Sequence, residues 1–226
     1  MIFGGLYVGN PLSAWEDAIS IIYDIKPSYV IFMGNVIDYS ECDENQFNQW
    51  TLFIRHLIKL YEEYDVKSLF MLGPVEKYSF YRLIRHRCFL YGLRVDPLLD
   101  NLNYSRLRET ATHLPLIRLY NTAKRNMIVK KEITNNRSLL FYLETRAVED
   151  ITSLEKLIED LYYERTKREV DWIITTQTSY PYIDSEHKVA FPGIWLKQRI
   201  FATPNKGGAI YIPPDAKPRL IERELG

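Results

Sequence analysis

Cysteine is nearly absent: Cys42 and Cys88 are the two in 226 residues, and they form no CxxC pair. That excludes a disulfide framework of the kind that staples small secreted scaffolds. Histidine is scarce too. His56, His86, His113 and His187 are scattered and share no zinc-ligand spacing. No apolar run approaches membrane-spanning length. The opening MIFGGLYVGN lacks the basic stretch and long apolar core of a signal peptide, so a soluble, cytoplasmic protein is expected. GGLYVG is not a GxGxxG loop, and neither GK[ST] nor GxSxG occurs, which argues against a standard phosphate loop and a nucleophile elbow. Internal repeats and low-complexity tracts are also missing.

What is present is an ordinary globular composition, 46% hydrophobic and 26% charged, at a length that suits one domain with a sizeable core. The zero net charge conceals an asymmetry. Residues 1–76 carry 4 Lys/Arg against 11 Asp/Glu, residues 77–137 carry 13 against 4, and the remainder carries 12 against 14. A central segment of net charge +9 between acidic flanks is a candidate binding surface.

Periodicity gives the first third a clear order. Residues 1–7 form a strand, and Pro11 can open a helix whose apolar face is Trp15, Ala18, Ile21 and Ile22. Tyr29–Met33 is a second strand. Residues 44–64 form a long amphipathic helix through Phe47, Trp50, Phe53, Ile54, Leu57 and Leu60, and residues 67–72 a third strand. This β-α-β-α-β start implies a parallel sheet with right-handed crossovers. Further on, 80–93 is helical, 95–135 irregular and 138–143 a strand. Residues 152–167 form a helix capped by Thr152 or Ser153, and 170–175 a buried strand. TSYPYIDSEHKVAFPG looks like a loop, followed by strands at 195–202 and 208–212.

Ligands of open α/β sheets bind beyond the carboxyl ends of the strands. Those ends read GLYVGN (5–10), GNVID (34–38), GPVE (73–76) and TTQT (175–178). In this order they resemble the calcineurin-like metallophosphoesterases. That family builds a two-metal site from Asp-x-His, Gly-Asp-x-x-Asp, Gly-Asn-His-Asp/Glu, a later His and Gly-His-x-His. The resemblance spans residues 1–80 and, more loosely, 165–215. Its best parts are Gly9-Asn10 and KPSYVIFMGNVID. It implies an α/β, metallophosphoesterase-like layered fold with a βαβαβ start and mixed sheets flanked by helices. The chain would be a single domain, 1–226, with a basic, partly irregular insertion-like segment at about 77–137.

Carried over residue by residue, the metal ligands are mostly missing. The first Asp and His fall on Leu6 and Val8, beside Asn10. The bridging Asp falls on Asn35, while Asp38 is kept. The third motif keeps Gly73 but reads Pro74, Val75 and Glu76, and the later His falls on Gln177. No Gly-His-x-His occurs, and His187 stands in a different context. Two divalent cations a few ångströms apart need several anionic or imidazole ligands to offset their repulsion and dehydration. Aliphatic side chains cannot supply them, so no metal and no cofactor are expected. These nine positions (Leu6, Val8, Asn10, Asn35, Asp38, Pro74, Val75, Glu76, Gln177) would form a vestigial site, with no catalytic residue named. Read without the resemblance, Gly34-Asn35 is a turn and Asp38 a cap.

In the basic segment, Lys77, Arg82, Arg85, Arg87 and Arg94 interleave with Tyr78, Phe80, Tyr81, Phe89 and Tyr91, and Lys124, Arg125, Lys130 and Lys131 follow. Cations neutralise phosphates and aromatic faces stack bases. The same pattern also describes a helix with aromatics in the core and arginines facing solvent or an acidic partner.

The expected function is therefore a catalytically inactive metallophosphoesterase-like protein serving as a binding or scaffold subunit in a protein complex. Small subunits of replicative DNA polymerases and a retromer subunit are precedents for such loss in that superfamily. The alternatives are a nucleic-acid-binding protein using 77–137, and a phosphoesterase with a site rebuilt around Asn10, Asn35, Asp38, Glu76 and Gln177. A protein partner is expected, nucleic acid and a second copy are the other partners considered, and no membrane is.

Overall fold

The structure, a computed structural model, describes residues 1–38, 41, 43–71, 117–120, 127–133, 137–143, 151–176, 178, 180–197, 206–214 and 217–225. Strand β1 (Ile2–Phe3) is followed by helix α1 (Trp15–Ile25), strand β2 (Tyr29–Met33), helix α2 (Glu44–Tyr64) and strand β3 (Lys67–Met71). Local chemistry sets these boundaries. Lys26 closes α1 in a left-handed conformation, its N–H bonded to the Ile22 carbonyl, and Pro27 forbids continuation. Asp43 caps α2, its carboxylate accepting from the Gln46 N–H at 2.6 Å. The buried Gln46 side chain in turn accepts from the Glu41 N–H.

Strands β4 (Ile117–Tyr120), β5 (Met127–Ile133) and β6 (Arg137–Leu143) come next, then helix α3 (Ile151–Arg168). Strands β7 (Trp172–Thr175), β8 (Pro181–Asp184), β9 (Val189–Pro192), β10 (Lys206–Tyr211) and β11 (Arg219–Glu224) complete the order. Among the described residues these form a six-stranded sheet, β11-β10-β1-β2-β3-β4, and a five-stranded sheet, β5-β6-β7-β9-β8. Both are mixed. β1 to β4 run parallel in the first, with β10 antiparallel to β1 and β11 antiparallel to β10 at the edge. In the second, β6, β7 and β9 are parallel and each edge strand is antiparallel.

Alternation along the strands builds four layers. Phe3, Val30, Phe32 and Ala209 face α1 and α2, joining Trp15, Ile22, Trp50 and Phe53. Ile2, Ile31, Met33 and Ile210 face the other way and meet Leu139, Trp172, Ile174 and Ala190 of the second sheet. On that sheet's far side, Ile173, Val189 and Phe191 pack against Ile158 and Leu161 of α3. The molecule is thus an α/β structure of two mixed sheets with helices on both outer faces. Each fully buried Phe or Ile contributes about 1.5–3 kcal/mol through removal from water, so this patterning dominates the fold.

Several expectations need correction. The stretch expected to be irregular, 95–135, contains β4 and β5. The loop-like 178–193 holds the β8–β9 hairpin, whose turn is tied by Asp184: its carboxylate accepts from the backbone N–H groups of Glu186 and His187, each at 2.9 Å. α1 starts at Trp15 rather than Pro11, and α3 at Ile151, so Thr152 and Ser153 lie inside it. β1 ends at Phe3 because the chain beyond it leaves the ladder: the Trp195 N–H bonds the Gly5 carbonyl at 2.9 Å instead. Of the strand expected at 195–202, residues 195–197 form only an isolated Ser13–Leu196 bridge and lie outside the named strands, and 198–202 lie outside the described residues. β11 was not foreseen. The helix expected at 80–93 lies outside the described residues.

Candidate functional site

The carboxyl ends of β1 and β2 continue into two segments held together by backbone. The Tyr7 and Val8 N–H groups donate to the Asn35 and Val36 carbonyls, both at 2.8 Å, and the Asp38 N–H returns to Val8 at 2.9 Å. Gly9 sits where they cross. Its φ is +104°, and a Cβ there would lie 2.2 Å from the Asp38 carbonyl oxygen. Only glycine permits that approach.

Side chains lock the same two segments. Asn10 Nδ2 donates to Asp38 Oδ2 at 2.9 Å, while Asn10 Oδ1 accepts from the Leu12 N–H at 2.9 Å. Both ends of the carboxamide are therefore committed to an Asx turn and a cross-loop bond. Asn35 Nδ2 donates to the Tyr7 hydroxyl at 3.0 Å. Tyr7 (φ 51°) and Asn35 (φ 48°) are both left-handed. Asn accepts that conformation readily, but for Tyr it costs on the order of 1–3 kcal/mol, offset by the hydrogen bonds around it.

Leu6 and Val8 do not line this surface. Both are 0% exposed and belong to the apolar cluster beneath α1 and α2. The positions that would carry the first Asp and His are core positions here. Asn10, Asn35 and Asp38 are brought together at the strand ends, each half-buried. Pro74, Val75, Glu76 and Gln177 lie outside the described residues, as do Lys77, Arg82, Arg85, Arg87, Arg94, Lys124 and Arg125. Lys130 and Lys131 occupy β5, in register with Leu140 and Leu139.

Among the described residues no three His, Cys, Asp or Glu side chains are grouped to hold a metal ion. Among the described residues the donors at these strand ends are one carboxylate, two carboxamides and a phenol. This set does not fit a pair of divalent cations, because one negative charge cannot balance four positive ones.

The described histidines have structural partners. His56 Nδ1 and the Tyr23 hydroxyl are 3.3 Å apart between α2 and α1. His187 Nδ1 lies 2.9 Å from Asp184 Oδ2 in the β8–β9 turn, with Tyr162 of α3 edge-on to the ring. Burial raises the Asp184 carboxyl, but the hydrogen bonds and charge of His187 and the Glu186 N–H outweigh it and hold the group below its ordinary value.

Two residues important here escaped sequence reasoning. Tyr7 occupies the variable position of the first motif, and nothing in its neighbours signals a left-handed tyrosine. Trp195 is fully buried, its Nε1 donating to the Gly208 carbonyl at 2.9 Å. Its ring lies where a Cβ on Gly207 would be, 2.5 Å from the nearest ring carbon.

No helix among the described residues is long and apolar enough to cross a membrane. No family model matches the chain, and no curated protein matches it in sequence. Among the solved structures that resemble it, a crystal structure superposes over 100% of this chain and 98% of its own, with a TM-score of 0.46 at 8% identity. A likeness of that size carries no argument about family or function.

Proposed function

We propose that this is a degenerate metallophosphoesterase-like protein that acts as a binding or scaffold subunit of a protein complex rather than as a hydrolase. One observation carries the reading: Leu6 and Val8 are sealed in the helix-side core where the first two metal ligands would stand. The parallel βαβαβ start and the two mixed sheets with helices are compatible with it. So are the Asn10–Asp38 and Asn35–Tyr7 bonds, which turn strand-end polar groups into loop ties.

Isolation of the tagged chain from its native cell at natural abundance tests this. A protein partner in fixed stoichiometry, surviving nuclease treatment and moderate salt, is the expected result. Recovery of nucleic acid alone, with affinity falling about 0.7–0.9 log unit per log unit of salt for each phosphate engaged, would instead support the basic-segment reading.

A further inference from the structure

β11 ends the six-stranded sheet, and among the described residues no strand pairs with its outer side. Such an edge is a template for another strand, and a second copy is the strand always at hand. Its sequence, RLIERE, decides what that copy would meet.

The faces of β11 are fixed by packing. Ile221 packs with the cluster under α1, and Leu220 with the cluster between the sheets. Arg219, Ile221 and Arg223 therefore share one face, and Leu220, Glu222 and Glu224 the other. Arg223 confirms this by reaching Asp17 (3.4 Å) and Ser20 (3.2 Å) on α1. When a strand pairs antiparallel with its own copy across a two-fold axis, directly opposed residues lie on the same face. The axis must therefore lie between the two copies of one residue, which leaves few registers.

Centred on Ile221, each Arg219 opposes Arg223 of the second copy, and this happens twice. Within its own chain Arg223 is paired with Asp17 on α1, and no ion pair is seen for Arg219 among the described residues. Centred on Glu222, the two Glu222 side chains oppose each other, with Lys206 already 3.3 Å from its own Glu222. Centred on Arg223, the arginines meet. Centred on Leu220, Glu222 opposes Pro218, which has no N–H for the ladder. Every register carries a like-charge pair or a missing donor.

We propose that the charge order of β11 guards this edge against continuation of the sheet into a second copy of the chain. The guard needs no cover over the edge. It acts through the placement of Arg219, Glu222 and Arg223, with Pro218 blocking the register centred on Leu220.

The Arg219→Glu variant tests it. Arg219 is exposed, so the change leaves the fold intact, which circular dichroism and a thermal melt verify. In the register centred on Ile221 it converts both repulsive pairs into Glu–Arg pairs around an Ile–Ile contact. Self-association should tighten roughly ten-fold or more, read by sedimentation equilibrium of the full chain. Adding Arg223→Glu restores like charges, now Glu against Glu, and should reverse the gain. Equal self-association of the wild-type chain and Arg219→Glu would overturn the proposal, and so would a wild-type dimer that is lost on Arg219→Glu.

Discussion

Leu6→Asp, which places a carboxylate where the resemblance would put the first metal ligand, should unfold the protein at neutral pH rather than build a site. Leu6 is 0% exposed among Phe3, Val8, Ile37 and the α1–α2 core. Truncating such a leucine costs about 2–5 kcal/mol. The new carboxyl must then stay neutral in that core. Doing so at pH 7 against an unfolded pKa near 3.9 costs about 4 kcal/mol more. The total, roughly 6–9 kcal/mol, rivals the ~5–15 kcal/mol that holds a typical domain together. The second part depends on pH. With the folded-state pKa raised above the unfolded one, the native state holds the extra proton. Stability therefore falls as pH rises from about 4 toward the folded pKa, by about 1.4 kcal/mol per pH unit. Urea denaturation of wild type, Leu6→Ala and Leu6→Asp at pH 4.5 and pH 7 separates the two parts. Leu6→Ala should show a deficit of similar size at both, and Leu6→Asp a deficit that widens toward pH 7. Equal stability of the two variants at both pH values, or Mn-dependent stabilisation of Leu6→Asp alone, would show that position 6 faces a polar site and refute the reasoning.

Asn35→Asp keeps a partner for the Tyr7 hydroxyl and should shift stability by about 1 kcal/mol or less, with no hydrolysis of an aryl phosphate ester; activity from this one change would mean that other ligands are in place. Gly9→Ala forces a Cβ against the Asp38 carbonyl at φ +104° and should cost roughly 2–4 kcal/mol, seen as a lowered thermal midpoint; a neutral result would contradict the crossing of the two loops. Asp184→Ala removes the acceptor for three hydrogen bonds in the β8–β9 turn and should cost about 1–3 kcal/mol at neutral pH. Because the folded Asp184 carboxyl lies below its ordinary value, that contribution is present above the unfolded pKa and lost as pH falls through the folded one. The gap between wild type and variant in denaturation midpoint should therefore narrow in acid.

The elements legible in the sequence are those whose burial is periodic. α2 shows its buried face at Trp50, Phe53, Ile54, Leu57 and Leu60, and β2 is a continuous apolar run, so both emerged at their observed bounds. The β8–β9 hairpin did not, since Pro181, Tyr182 and Asp184 carry turn and polar character on an edge strand whose pairing lies with β9. β11 hid for the same reason: four of its six positions are charged because an edge faces water. At the strand ends, the convergence of Asn10, Asn35 and Asp38 followed from where β1 and β2 stop. The bonds that occupy them did not, because Tyr7 bends through an unfavourable φ that no local pattern encodes. That Leu6 and Val8 are aliphatic was plain, but that they belong to the helix-side core is a fact of packing.

The most direct test of the central claim is the metal content of the purified chain. After loading with excess Mn and exhaustive dialysis, elemental analysis should find well under one metal ion per chain, and activity on an aryl phosphodiester should match the buffer blank. Two ions retained per chain, with metal-dependent hydrolysis that a chelator abolishes, would contradict the account.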